Sequence, residues 1–128
     1  MAKVALVVDD SMLIRYSICR FLEARGFTVE AATNGSEALE VLDRVHPDLI
    51  VTDMRMPKMS GTELIAALKS KPETAGVPII VVTSKANGPC EPKAADFAIF
   101  KDIDIETQLE KALSMLPGMA ARGQASAT

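Results

Sequence analysis

Apolar residues gather into five short runs along the chain, and between the runs they recur at the three-and-four spacing of a helix face. The first run, Val4 to Val8, is continuous, as in a strand covered on both faces. Phe27 to Ala31 alternates instead, with Thr28 and Glu30 set against Phe27, Val29 and Ala31, which suits an edge strand. Leu49 to Thr52 is continuous and ends at Asp53. Val77 to Val82 is also continuous, with Pro78 near its start, where a missing N–H donor is tolerated. Phe97 to Phe100 completes the set.

The intervening stretches carry helix punctuation. Ser11 is placed to cap a helix whose buried face is Ile14, Ile18, Phe21 and Leu22, and Gly26 ends it. Asn34 and Glu37 have capping-box spacing ahead of Ala38, Leu39, Leu42 and Val45, and Pro47 is expected to stop that helix. Ser60 and Glu63 repeat the spacing ahead of Leu64, Ile65 and Leu68. Asp104 caps a last stripe of Ile105, Leu109, Ala112, Leu113 and Leu116. Beyond Pro117 the residues are small and polar, so one domain over 1–117 and a flexible tail over 118–128 are expected. Alternating strands and helices imply an α/β fold, a parallel sheet with helices on both faces.

Composition narrows the classes. A chain of 128 residues with 48% hydrophobic and 24% charged content can bury one core, which excludes a disordered polypeptide. No apolar run is long enough to cross a bilayer, and a strand follows Met1 almost at once with no leader pattern, so a cytoplasmic protein is expected. Net charge is −3 with scattered basic residues, so no nucleic-acid partner is expected. Cys19 and Cys90 form no framework or metal spacing. His46, the only histidine, is read as a solvated helix-end residue, which excludes a His-based metal site or triad.

Candidate chemistry lies where the apolar runs stop. Asp9 and Asp10 follow the first run, Asp53 the third, Thr83 the fourth and Lys101 the fifth. In an open parallel sheet, sites form outside the carboxyl ends of the strands, where the topology switches direction. Three carboxylates converging there repel one another unless a cation joins them. Mg²⁺ fits, because it takes oxygen ligands and binds through one or two carboxylates plus phosphate oxygens. Asp53 beside such an ion could attack a phosphoryl group, with Lys101 offsetting the charge and Thr83 donating a hydrogen bond.

The segments "VALVVDDSMLIR", "LIVTDMRMPKMSGTEL", "VPIIVVTS" and "AIFKD" resemble the receiver domain of bacterial two-component response regulators, of the CheY-like, single-domain type. The resemblance covers about residues 3 to 116 and implies a flavodoxin-like, doubly wound, five-stranded sheet in the order 2-1-3-4-5. It implies Asp53 as phosphoacceptor, and Asp9, Asp10, Asp53 and the backbone carbonyl of Arg55 as Mg²⁺ ligands. Thr83 becomes the switch hydroxyl and Lys101 the phosphate-contacting lysine. The implied partners are a sensor histidine kinase or histidine phosphotransfer protein and a downstream target protein, with output by binding and no enzyme turnover.

Three departures accompany the resemblance. Asp102 stands after Lys101, where the family has proline, and Ala98 stands where it has an aromatic residue. Phe97 or Phe100 are the aromatic residues at hand to substitute for it. The stretch between Thr83 and Lys101 is short and carries Gly88, Pro89 and Pro92, so the fourth helix is expected to shrink or become a loop. They leave room for an alternative, a receiver fold kept as a constitutive binding module without phosphorylation. A phosphatase with an Asp nucleophile and Mg²⁺ is the weaker alternative, because Arg55 stands where such enzymes carry a second aspartate.

Overall fold

Runs that are apolar throughout need cover on both faces, and the structure gives it to them. The computed structural model describes residues 3–54, 61–83, 96–101 and 104–116. In chain order the elements are β1 (Val4–Val8), α1 (Met12–Ala24), β2 (Thr28–Ala32), α2 (Gly35–Leu42), β3 (Leu49–Asp53), α3 (Gly61–Lys69), α4 (Pro72–Ala75), β4 (Ile79–Thr83), β5 (Phe97–Phe100) and α5 (Ile105–Met115). The five strands form one parallel sheet in the order β2-β1-β3-β4-β5, the CheY-like flavodoxin order.

Alternation along each strand sorts the core into two layers. Ala5, Val7, Leu49, Val51, Ile80, Val82 and Ile99 pack under α1 and α5 with Ile18, Phe21, Leu22, Leu109, Ala112 and Leu113. Leu6, Val8, Ile50, Ile79 and Val81 pack under α2 and α3 with Ala38, Val41, Leu64, Ile65 and Leu68. β3 and β4 are buried along their whole length.

The helix ends follow local chemistry. Ser11 Oγ accepts from the Ile14 N–H, and Asn34 Oδ1 accepts from the Glu37 N–H while Glu37 reaches back to Thr33 N. Gly26 adopts φ 93°, and the Phe27 N–H closes onto the Leu22 carbonyl, which ends α1. At the opposite edge of the sheet from the candidate site, two aspartates tie neighbouring strands together. Asp48 accepts from Val4 N at 2.9 Å and Asp96 from Ile79 N at 2.8 Å.

Several expectations need correction. β2 runs from Thr28 to Ala32, because Phe27 is spent on the turn; Ala31 is exposed and Ala32 buried. α2 stops at Leu42, before Pro47, and the chain turns through Arg44 and Val45, whose N–H groups both donate to the Val41 carbonyl. β4 begins at Ile79, because Pro78 supplies only its carbonyl, to Ile50 N. A helical turn at Pro72–Ala75, with proline in its first turn, was not expected. The caps proposed at Ser60, the connection over 84–95 where the fourth helix was expected to shrink, and the tail over 118–128 lie outside the described residues.

Gly26→Ala is expected to lower unfolding free energy by about 1–2 kcal/mol, because an L side chain resists positive φ. Gly76 has φ −95° and open space where a Cβ would stand, so Gly76→Ala is expected to be neutral or stabilising by up to about 1 kcal/mol. Urea titrations of the two variants check the contrast; equal losses would refute it.

Candidate functional site

The alternation that sorts the core also decides which polar groups meet at the carboxyl edge. Val82 is the register partner of both Asp53 and Ile99. Continuing each strand by its own alternation, Asp9 leaves on the side of Val7, Asp53 on that of Val51, and Lys101 on that of Ile99. All three therefore emerge on the α1/α5 side, directly beyond the core.

Contacts hold them there. Lys101 Nζ lies 3.1 Å from Asp53 Oδ2 and 3.7 Å from Asp9 Oδ2. The Lys101 N–H donates to the Thr83 carbonyl at 2.8 Å, which carries the edge strand's pairing with β4 one residue past β5. Asp9 is pinned by the start of α1. Its Oδ1 accepts from Ser11 N at 2.8 Å, and its carbonyl accepts from Arg15 Nη1 at 2.8 Å. Its own N–H donates to the Ala32 carbonyl of β2. Asp10 is exposed, yet carboxylate oxygens of Asp9, Asp10 and Asp53 all lie within 4.8 Å of one another.

The electrostatics are unbalanced. Asp9 is 1% exposed and Asp53 3% exposed, and among the described residues one lysine faces the three carboxylates. Burial, partly offset by the Ser11 N–H, pushes the Asp9 carboxyl up to about 6; Asp53 and Asp10 add to the rise and Lys101 opposes it. Burial alone would lower the Lys101 ammonium, but its hydrogen bond to Asp53 and the charges of Asp9, Asp53 and Asp10 outweigh that and raise it. Asp9 Oδ2 is buried and has no hydrogen-bond partner among the described residues. A buried carboxylate oxygen left in this way beside two other acids fits a bound divalent cation.

Of the residues singled out from sequence, Asp9, Asp10, Asp53 and Lys101 are brought together, and Thr83 is buried at the neighbouring strand end. Arg55 and Asp102 lie outside the described residues. Thr52 was missed: fully buried, it donates its Oγ1 hydrogen to the Asp53 carbonyl at 3.0 Å. A hydroxyl interrupting an apolar run one residue before the acid was the available signal. Arg15, one turn into α1, was also missed. Ala98 is exposed on β5, and Phe97 packs against the α1/α5 core layer.

The model of the response regulator receiver domain family matches residues 5–114. The chain belongs to this family. Among curated relatives, Response regulator MprA of Mycobacterium ulcerans is 41% identical over 80 residues, 62% of this chain and 34% of that protein. The phosphate regulon transcriptional regulatory protein PhoB of Rhizobium meliloti is 41% identical over 86 residues, 65% of this chain and 36% of that protein. The chain thus spans about a third of the length of these relatives. Among solved structures, chemotaxis response regulator CheY4 of Vibrio cholerae superposes with a TM-score of 0.77 at 29% identity, covering 91% of this chain and all of that one. A receiver domain is a signalling module of two-component systems, and its acidic pocket is a site for a divalent metal. Among the described residues of this receiver domain no helix is long and apolar enough to cross a membrane.

One consequence concerns the metal-free protein. The folded-state pKa of Asp9 lies above its ordinary value near 3.8, so the folded state holds that proton more tightly than the unfolded state. Ionisation of Asp9 therefore opposes folding: the penalty is absent below about pH 4 and complete above about pH 6, on the order of 2–3 kcal/mol. With chelator present, Asp9→Asn is expected to melt higher than the parent at pH 7.5, and the difference should shrink towards pH 4. Parallel melting curves across that range would contradict it.

Proposed function

We propose that Asp53 is the phosphoacceptor of this receiver domain and that its modification switches partner binding. The observation that carries the reading is a nearly buried carboxylate at the end of a central strand, in contact with a lysine ammonium and crowded by two further acids. Asp53 supplies the nucleophilic oxygen: a new bond forms from its carboxylate to phosphorus as the bond from phosphorus to the donor nitrogen breaks. A sensor histidine kinase or a histidine phosphotransfer protein is the donor, which places the chain in the cytoplasm. Mg²⁺ would be held by Asp9, Asp10 and Asp53, with the backbone carbonyl of Arg55, which lies outside the described residues, as the further ligand the family resemblance implies, and would supply charge neutralisation on the phosphoryl oxygens.

The protein's own groups do the rest. Lys101 already sits on Asp53 and keeps positive charge where negative charge grows. Ser11 N–H and the α1 start fix Asp9, and Thr52 fixes the backbone at Asp53. The Thr83 hydroxyl, one residue past Asp53's register partner Val82, is the donor to a phosphoryl oxygen. Phosphorylation replaces the single charge of the Asp53 carboxylate by a phosphoryl group carrying about 1.5 to 2 negative charges, a net gain of at most about one, which rebalances Lys101 between Asp53 and Asp9 and changes the surface that a downstream target reads. The receiver domain occupies residues 1–117. It turns over no small phosphate ester.

A second reading is favoured by one observation. Ala98 is exposed and too small to pack inward behind a moving hydroxyl. That suits a constitutive binding module. Intact-mass measurement after incubation with acetyl phosphate separates the two. One phosphoryl adduct is expected in the presence of Mg²⁺, lost with chelator and in Asp53→Asn. A folded, Mg²⁺-binding protein that takes up no adduct from acetyl phosphate or from phosphohistidine donors would instead support the constitutive module.

A further inference from the structure

β5 is the sheet's outer strand, so every second residue turns its backbone polar groups away from the ladder. The Lys101 N–H faces β4, where it donates to Thr83. The N–H and C=O of Phe100, the residue before it, face outward. Both are taken by one side chain on α5. The Phe100 N–H donates to Gln108 Oε1 at 3.0 Å, and Gln108 Nε2 donates to the Phe100 carbonyl at 2.8 Å. A third hydrogen bond, from Nε2 to the Asp104 carbonyl at 3.3 Å, ties the same amide to the first turn of its own helix. Asp104 is itself fixed as the cap of α5, with Oδ1 accepting from Glu106 N and Thr107 N and Oδ2 from Thr107 Oγ1.

The chain position matters more than the number of bonds. Lys101 ends β5's pairing and sends its ammonium back over the sheet edge to Asp53 and Asp9. A lysine stem has four rotatable carbons, so the reach of its ammonium depends on a firm backbone anchor. Asp102 follows it in the sequence, so no proline ring restrains the backbone after the lysine. One anchor before it, alongside the Lys101 N–H bond to Thr83, is the amide clamp.

We propose that Gln108 is a positioning residue for the phosphoryl-transfer site: its side-chain amide grips both backbone groups of Phe100 and so holds the Lys101 ammonium on Asp53. The proposal rests on Asp53 being the phosphoacceptor, but the clamp can be tested apart from that reading. Gln108→Met keeps the length of the side chain and removes all three hydrogen bonds. Because Gln108 is half-buried, the variant is expected to fold.

Two measurements decide it. The first is a double-mutant cycle on the rate of Mg²⁺-dependent phosphorylation by acetyl phosphate, using the parent, Gln108→Met, Lys101→Met and the double variant. Gln108→Met is expected to slow the reaction about tenfold when Lys101 is present and to have no further effect when it is absent. A tenfold loss in both backgrounds, or no loss in either, overturns the proposal. The second is the ¹⁵N resonance of the Lys101 ammonium in the unphosphorylated protein at low temperature, which reports the contact with Asp53 without any reaction. Its signal should persist in the parent and broaden or shift to that of a solvated lysine in Gln108→Met. An unchanged signal overturns the proposal even where no adduct forms, and a parent that forms no adduct while the signal responds removes the phosphoacceptor reading and leaves the clamp standing.

Discussion

An ammonium held between two nearly buried carboxylates is the interaction on which the carboxyl edge of this sheet depends. Among the described residues, Lys101 is the ammonium in contact with both Asp9 and Asp53, two carboxylates in a place that water scarcely reaches. Among these residues, its one positive charge is set against two negative ones. Removing one partner of such a group costs far more than the group contributes as a whole, because the survivors stay buried. The arrangement is thus a poor device for stability and a good one for receiving a cation and a phosphoryl group. Its remaining imbalance is what a ligand can relieve.

Two-sided burial explains why the imbalance sits where it does. β3 and β4 have no exposed residue, so polar groups can enter the sheet layer only at strand ends. At the amino end, Asp48 and Asp96 spend their carboxylates on the first N–H groups of β1 and β4. At the carboxyl end, Asp9 spends one oxygen on Ser11 N and keeps the other free of hydrogen bonds among the described residues. Aspartates of the same type at the two edges therefore differ in kind. Each accepts a backbone N–H, but Asp48 is half-buried and Asp96 exposed, within reach of water, whereas the second oxygen of Asp9 is buried.

Much of this was legible in the sequence. Continuous apolar runs located the central strands, and the polar residue closing each run located the site, because a strand buried on both faces has nowhere else to place it. The helix stripes of α1 and α5 were readable for the same reason. Phase errors arose where local turn chemistry overrode pattern: Phe27 is apolar enough to begin a strand but its N–H is taken by the end of α1. Pro72–Ala75 is too short to show a period. Asp48, Asp96 and Gln108 were illegible for another reason. Each acts on a backbone group of a different element, and a sequence gives no distance between Gln108 and Phe100 until α5 has docked.

That last contact bears on how a change at Asp53 could leave the site. Ala98 is exposed and carries only a methyl group, and Phe97 is engaged with the α1/α5 core layer, so neither serves as an aromatic lever beside Thr83; half-buried Phe100, the register partner of Thr83, is the ring at hand there. The backbone offers a shorter route. Lys101 is covalently joined to Phe100, and Phe100 is joined by two hydrogen bonds to Gln108, one turn inside α5. α5 in turn reaches α1 through the ion pair of Glu110 with Arg25 at 3.2 Å, whose guanidinium lies over the Phe21 ring. A lysine drawn towards a phosphoryl group pulls on a strand end that is clamped to a helix, and rigid elements pass on such a displacement where a flexible loop would absorb it. In this chain the missing aromatic side chain is thereby compatible with a working switch, provided the helix rather than a ring carries the motion.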